Sequence, residues 1–276
     1  MLGSLVIIYP TPHEGGELVL RHKDLHLKDR EWKFDANSLT ASQSSPSLAY
    51  VAFYSDLEHE VLKVTSGRRV TVTYNLYLVD PTPNLRAPFV TPSSEGVSNL
   101  QATLQGLLNN PEFLPDGGTL GLGLAHLYPV SLRTNLKKMV TRLKGADAEA
   151  YRACRELGLD PSLQVIYDDD DSDFGIMLDT ITEAYYDPSY ETYQGALVEH
   201  FGGVPVNSTE DANLDELPEW ARKGAEPEFI TWITPPDSER NQVRDITVAL
   251  GNHISTGFIY CSPYLTVDIH AADDRK

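Results

Sequence analysis

Ala52-Phe-Tyr-Ser-Asp-Leu-Glu-His59-Glu-Val-Leu-Lys-Val-Thr-Ser-Gly67-Arg-Arg69-Val-Thr71-Val-Thr73-Tyr-Asn75 is the stretch on which the reading of this chain turns. β-branched and aromatic residues crowd it and a turn closed by Gly67 interrupts it, so it reads as short strands. The expected strands are Leu48–Tyr54, Val61–Val64 and Arg68–Leu78, the last two joined by Thr65-Ser66-Gly67. Along the last strand the two-residue period puts Arg69, Thr71, Thr73 and Asn75 on one side and Val70, Val72 and Tyr74 on the other. A histidine beside one strand and an arginine ten residues on predict His59 and Arg69 on neighbouring antiparallel strands, both facing one cavity. A polar strand face ending in arginine suits a ligand-filled barrel, because a guanidinium offers a planar two-pronged fork to a carboxylate.

Upstream, Leu5–Tyr9 is a continuous apolar strand, Thr11–Gly16 carries turn signals, and Glu17–His22 returns, predicting a hairpin-like pair. Leu25–Phe34 alternates apolar and charged residues, and Thr40–Ser47 is a serine-rich loop. Six or so short strands with tight turns over residues 1–80 suggest a sandwich or jelly roll. Pro81, Pro83, Pro88 and Pro92 then break helix and ladder alike, marking 81–99 as a connection. From residue 100 to 276 the pattern is α+β. Leu100, Leu104, Leu107 and Leu108 predict a helix face after Ser98, and Ala146–Leu157 a helix stopped by Gly158. A third helix opens at Asp187-Pro188 and aligns Tyr190, Tyr193, Leu197 and Phe201. Phe229–Thr234, Ile246–Leu250 and Phe258–Ile269 return to strand.

Composition removes whole classes of function. The 276 residues hold 40 Asp and Glu against 22 Lys and Arg, a net charge of −18 that repels phosphate backbones and anionic headgroups. Nucleic acid and membrane are therefore not expected partners, and the apolar runs fall far short of the ~18 residues of a membrane span. A protein or small-molecule substrate fits better. Cys154 and Cys261 stand alone without metal-ligand spacing, which points to a reducing compartment, cytoplasmic or nuclear. Asp168–Asp171 with Asp173 lacks the register of a calcium loop and reads as a solvated acidic loop.

The order Gly3-Ser-Leu-Val-Ile-Ile-Tyr, Pro12-His-Glu-Gly-Gly-Glu-Leu18, Ala52-Phe-Tyr-Ser-Asp, His59-Glu-Val, Val64-Thr-Ser-Gly and Arg69-Val-Thr-Val-Thr-Tyr resembles iron(II)- and 2-oxoglutarate-dependent dioxygenases of the prolyl 4-hydroxylase-like type, closest to their fungal branch. It is dense over residues 3–78 and looser over Ala146–Tyr167 and Phe229–Val267. It implies a double-stranded β-helix, a jelly-roll barrel, holding ferrous iron between two histidines and a carboxylate, with 2-oxoglutarate on the open side of the metal and ascorbate as reductant. By position His59 would be the distal iron ligand, Arg69 would grip the far carboxylate of 2-oxoglutarate, and Thr71 would add a hydroxyl contact. The implied reaction couples oxidative decarboxylation of 2-oxoglutarate to hydroxylation of a C–H bond.

The same resemblance places a His-x-Asp ligand pair upstream of the strand Gly3–Tyr9, so the expectation is a barrel incomplete at its N-terminus, with impaired turnover in the chain as written. The alternative is a non-catalytic scaffold that binds protein. One His-x-Asp does occur, His22-Lys23-Asp24, in a charged hairpin after the Gly15-Gly16 turn. Ligation by it would require that hairpin to fold inward and bury Arg21 or Lys23. His13 and His126 read as structural, and Trp32, Trp220 and Trp232 as core anchors.

Overall fold

A computed structural model of the chain describes residues 1–22, 30–36, 47–77, 94–168, 173–183, 193–207, 212–213, 217–222, 226–234, 241–249 and 255–275. Mixed α and β, and mostly strand, it divides into two compact units, Met1–Phe89 and Val90–Lys276.

Among its described residues the first unit contains eight strands: β1 (Gly3–Ile8), β2 (His13–Gly15), β3 (Leu18–His22), β4 (Arg30–Phe34), β5 (Ala49–Tyr54), β6 (Glu58–Val61), β7 (Val64–Gly67) and β8 (Thr71–Leu76). They form a sheet ordered β5-β1-β8, a sheet ordered β4-β3-β6, and a ribbon of β2 with β7, all antiparallel. Val6, Ile8, Val51 and Phe53 of the first sheet pack with Leu18 and Leu20 of the second, so the two sheets share one apolar core. Two expectations are corrected here. β1 and β3 are not a hairpin pair, because β2 intervenes and carries the chain from one sheet to the other. Thr65-Ser66-Gly67 is not a turn: it belongs to β7, where Gly67 lies opposite His13 and a Cβ would sit 2.2 Å from the Pro12 carbonyl oxygen. Only glycine, here at φ +77°, permits that approach.

The second unit is built on β9 (Gly118–Gly123), β10 (Ser162–Tyr167), β11 (Phe174–Leu178), β12 (Val204–Asn207), β13 (Ile230–Thr234), β14 (Val243–Ala249) and β15 (Ser255–Ile269). They make a seven-stranded sheet in the order β12-β11-β10-β15-β9-β13, with β14 on β15. The sheet curls: Asn207 donates from Nδ2 to the Ile230 carbonyl at 3.1 Å and accepts the Ile230 N–H at 2.7 Å, linking its two ends. Inside the curl Trp232 and Tyr264 pack edge to face at 5.3 Å, and Gly121 leaves room, since a Cβ there would lie 2.5 Å from the Trp232 ring. On the outer side Leu163, Val165, Phe174, Ile176 and Leu265 form the main core.

Helices α1 (Ser94–Leu108), α2 (Leu136–Met139), α3 (Gly145–Glu156) and α4 (Tyr193–Phe201) accompany that sheet. α1 begins at Ser94, inside the stretch assigned to the connection, and Leu104 is buried while Leu107 is exposed, so the apolar face is narrower than the four leucines suggested. α3 ends as expected, with Gly158 at φ +78°. In α4 Leu197 is buried and Phe201 exposed; the expected start at Asp187-Pro188 lies outside the described residues. Trp220 and Trp232 are core residues, whereas Trp32 is exposed. Among the described residues no helix is long and apolar enough to cross a membrane.

Candidate functional site

Register decides which way the polar strip of β8 points. Thr71, Thr73 and Asn75 lie opposite Ile8, Val6 and Ser4. Val6 and Ile8 belong to the core between the sheets, so the side chains opposite them share the core-facing side. In the second sheet His59 lies opposite Leu20 and Val61 opposite Leu18, and both leucines belong to the same core. His59 is therefore on the core-facing side of β6. Its ring stands 5.0 Å from that of Phe53, tilted by 52°, and its Nδ1 lies 3.3 Å from the Leu57 carbonyl oxygen. By register His59 and the threonine strip lie on facing sides of two sheets, instead of adjacent strands in one ladder, yet His59, Thr73 and Asn75 are exposed and Thr71 half-buried, so they stand beyond the packed core. The reason is β7, which lies between them in the chain and pairs with β2.

Arg69 sits in the connection from β7 to β8, two residues before Thr71. Gly16 makes its seat: at φ +78°, a Cβ there would stand 2.8 Å from Arg69 Cδ and 2.9 Å from Val64 Cγ2. The Gly15-Gly16 pair thus has a packing reason, and Gly15 likewise faces the Lys63 carbonyl oxygen at 2.4 Å from where a Cβ would be. Arg69 Nε is withdrawn from water with no hydrogen-bond partner among the described residues, and partial burial draws the guanidinium below its ordinary value. It remains a cation at any physiological pH, with donors to spare for an anion.

The strand period also settles the orientation of His22. Arg21 points away from the core and makes ion pairs with Glu31 at 2.7 Å and Glu60 at 2.6 Å. His22, the next residue, takes the opposite side of β3, the side of Leu18 and Leu20. Alternation thus separates Arg21 from His22, which leaves Lys23 and its neighbours as the charges that an inward turn of this segment would bury. Lys23 and Asp24 lie outside the described residues. Among the described residues no three His, Cys, Asp or Glu side chains stand together as a metal-holding group. His59 by itself does not fit a three-ligand iron site.

A second polar cluster lies in the other unit, where the sequence reading assigned no chemistry. Asp147, 5% exposed in the first turn of α3, accepts from Ala125 N at 2.8 Å, His126 N at 3.1 Å and the Tyr128 hydroxyl at 2.7 Å. Tyr128 accepts in turn from Lys144 N at 2.9 Å, and Lys144 Nζ donates to Leu127 O at 2.7 Å. Burial pushes the Asp147 carboxyl above the usual carboxylate range, against the opposing pull of the Tyr128 and Ala125 hydrogen bonds. Asn241, also buried, accepts from Tyr128 N and donates to His126 O at 2.9 Å. These contacts fasten loop 124–130 between α3 and the start of β14. Asp in the first turn of a helix was the one available signal, and it is shared by many helices that bury nothing.

No protein-family model, no curated protein and no solved structure matches this chain.

Proposed function

We propose that the chain is a protein of the iron(II)- and 2-oxoglutarate-dependent dioxygenase type, prolyl 4-hydroxylase-like, whose first unit is a partial jelly roll that binds a dicarboxylate through Arg69 and Thr71. The observation that carries this reading is the core-facing strip Thr71, Thr73, Asn75 across from His59. Strand order supports it. The chain passes from β1 in one sheet to β3 and β4 in the other, back to β5, across to β6 and back to β8, an interleaving that belongs to double-sheet jelly rolls. Among the described residues each of the two sheets has three strands.

Arg69 would take the far carboxylate in a two-pronged contact and Thr71 would donate its hydroxyl beside it. When bound, iron would supply the oxidative chemistry. His59 would contribute one ligand to it, and the described residues do not complete the set. A dicarboxylate needs only the cationic end of the site. Binding without efficient turnover is thus the expected behaviour of this chain, and a scaffold role would rest on the same two sheets.

The test is calorimetric titration of 2-oxoglutarate into the wild type, Arg69→Ala and Thr71→Val, at fixed ionic strength. Charge-assisted hydrogen bonds contribute about 1.5–3 kcal/mol each, so Arg69→Ala should weaken binding by at least about tenfold. Identical titrations of the wild type and Arg69→Ala overturn the proposal. Succinate release with ferrous iron and ascorbate, compared between the wild type, His59→Ala and His22→Ala, reports whether either histidine supports turnover.

A further inference from the structure

The second unit carries an open cleft of about 390 Å³ lined by Val130, Ser131, Leu132, Arg133, Gln242, Val243 and Arg244. Its volume lies at the small end of the range that takes metabolite-sized ligands. The lining is unusual for this chain: acidic residues outnumber basic ones 40 to 22, yet among the described residues two arginines and no carboxylate line the cleft. Among the described residues neither Arg133 nor Arg244 makes an ion pair with a carboxylate. Arg244 is held in place by stacking, with its Cζ 3.4 Å from the centre of the Phe258 ring, which fixes the plane of the guanidinium and leaves its edge donors available.

The two walls are also built to stay together. On one side, residues 131–134 form a turn in which Ser131 N donates to Thr134 Oγ1 at 2.8 Å and Thr134 N to Ser131 O at 2.9 Å. On the other, Gln242, Val243 and Arg244 lead into β14. Asn241, at φ +57°, joins them by its paired hydrogen bonds to the 126–128 segment, behind which stands the Asp147 cluster. A cleft whose walls are tied by buried polar contacts needs little reordering to receive a ligand.

We propose that this cleft is a binding site for a small organic anion, whose carboxylate bridges Arg133 and Arg244 while its carbon chain lies on Val130 and Leu132. The site is separate from Arg69 and takes a different part of ligand chemistry: one charged end and an apolar body.

The experiment titrates the full chain with acetate, butyrate and hexanoate, and with inorganic phosphate, by calorimetry at constant ionic strength set with sodium chloride. Affinity is expected to rise along the carboxylate series by about two- to fourfold for each methylene that leaves water. Arg133→Ala and Arg244→Ala should each weaken hexanoate binding by about five- to tenfold. Phosphate is expected to bind more weakly than hexanoate, because it meets the arginines but not the apolar wall. A flat carboxylate series overturns the proposal, as does hexanoate binding that survives Arg133→Ala with Arg244→Ala combined. Loss of hexanoate binding in Arg69→Ala with retention in that double variant would move the anion to the first unit and overturn it equally. Unfolding midpoints of the variants, expected to match the wild type because both arginines are exposed, separate a lost ligand contact from a lost fold.

Discussion

The Tyr128 hydroxyl donates to Asp147 Oδ2 at 2.7 Å, with both side chains withdrawn from solvent. Three donors converge on that one carboxylate, from Ala125, His126 and Tyr128, and no apolar side chain of similar size could satisfy them. Asp147→Ala should therefore destabilise the second unit by about 3 kcal/mol or more, since each buried donor left unpaired costs roughly 1–3 kcal/mol. Urea unfolding followed by tryptophan fluorescence, which reads Trp220 and Trp232, checks this.

Acid should relieve part of the strain of burying that charge. The folded-state value of Asp147 is raised, so between the ordinary carboxylate range and the raised value the folded protein holds a proton that the unfolded chain has released. Its contribution to stability is present below that window and declines as pH rises through it. The difference in unfolding free energy between the wild type and Asp147→Asn, measured from pH 3.5 to 8, should fall with increasing pH; a rise would contradict the assignment.

Cys154 and Cys261 should be inert in the folded protein. Burial pushes their thiols up to about 11 and about 12, and both are nearly inaccessible. At pH 8 a thiol near 12 is about one part in ten thousand thiolate, the nucleophilic form. Modification by an aromatic disulfide reagent at pH 8 is expected to run at least about a hundredfold slower than in urea, and two reactive groups should be released on unfolding.

Asn207 should prove costly to replace. Its side chain serves both the N–H and the carbonyl of Ile230, a buried residue, as a paired strand would. Asn207→Ala leaves both without that partner and should cost about 2–4 kcal/mol, whereas Asn207→Asp keeps the acceptor and loses the donor. Hydrogen exchange at Ile230 and Glu228, whose N–H donates to Pro205 O at 2.8 Å, should rise most in the alanine variant.

Much of the local structure was legible because it depends on near neighbours. The two-residue alternation of Thr71, Thr73 and Asn75 puts them on one side of a strand in any fold, and Gly158 can end α3 without regard to what the helix packs on. The same alternation, applied to Arg21 and His22, is enough to separate an ion-paired surface residue from one on the core side. Strandedness in the described residues of 1–77 and the return to strand after Phe229 were readable for the same reason.

The partners of each strand were not legible, because a strand offers the same row of N–H and C=O groups to any neighbour and carries no address of its own. β1 and β3 look like a hairpin in one dimension, yet tertiary structure gave them to different sheets and spent the Gly15-Gly16 turn on seating Arg69. His59 and the strip Thr71, Thr73 and Asn75 lie on different sheets, and what relates those two sheets is a shared core, a property of Val6, Ile8, Leu18 and Leu20 together. The Asp147 clamp and the Asn241 and Asn207 contacts join segments up to 115 residues apart in the chain. An Asp or Asn looks equally at home on the surface until packing withdraws it from water, and only then must its hydrogen bonds be made within the protein.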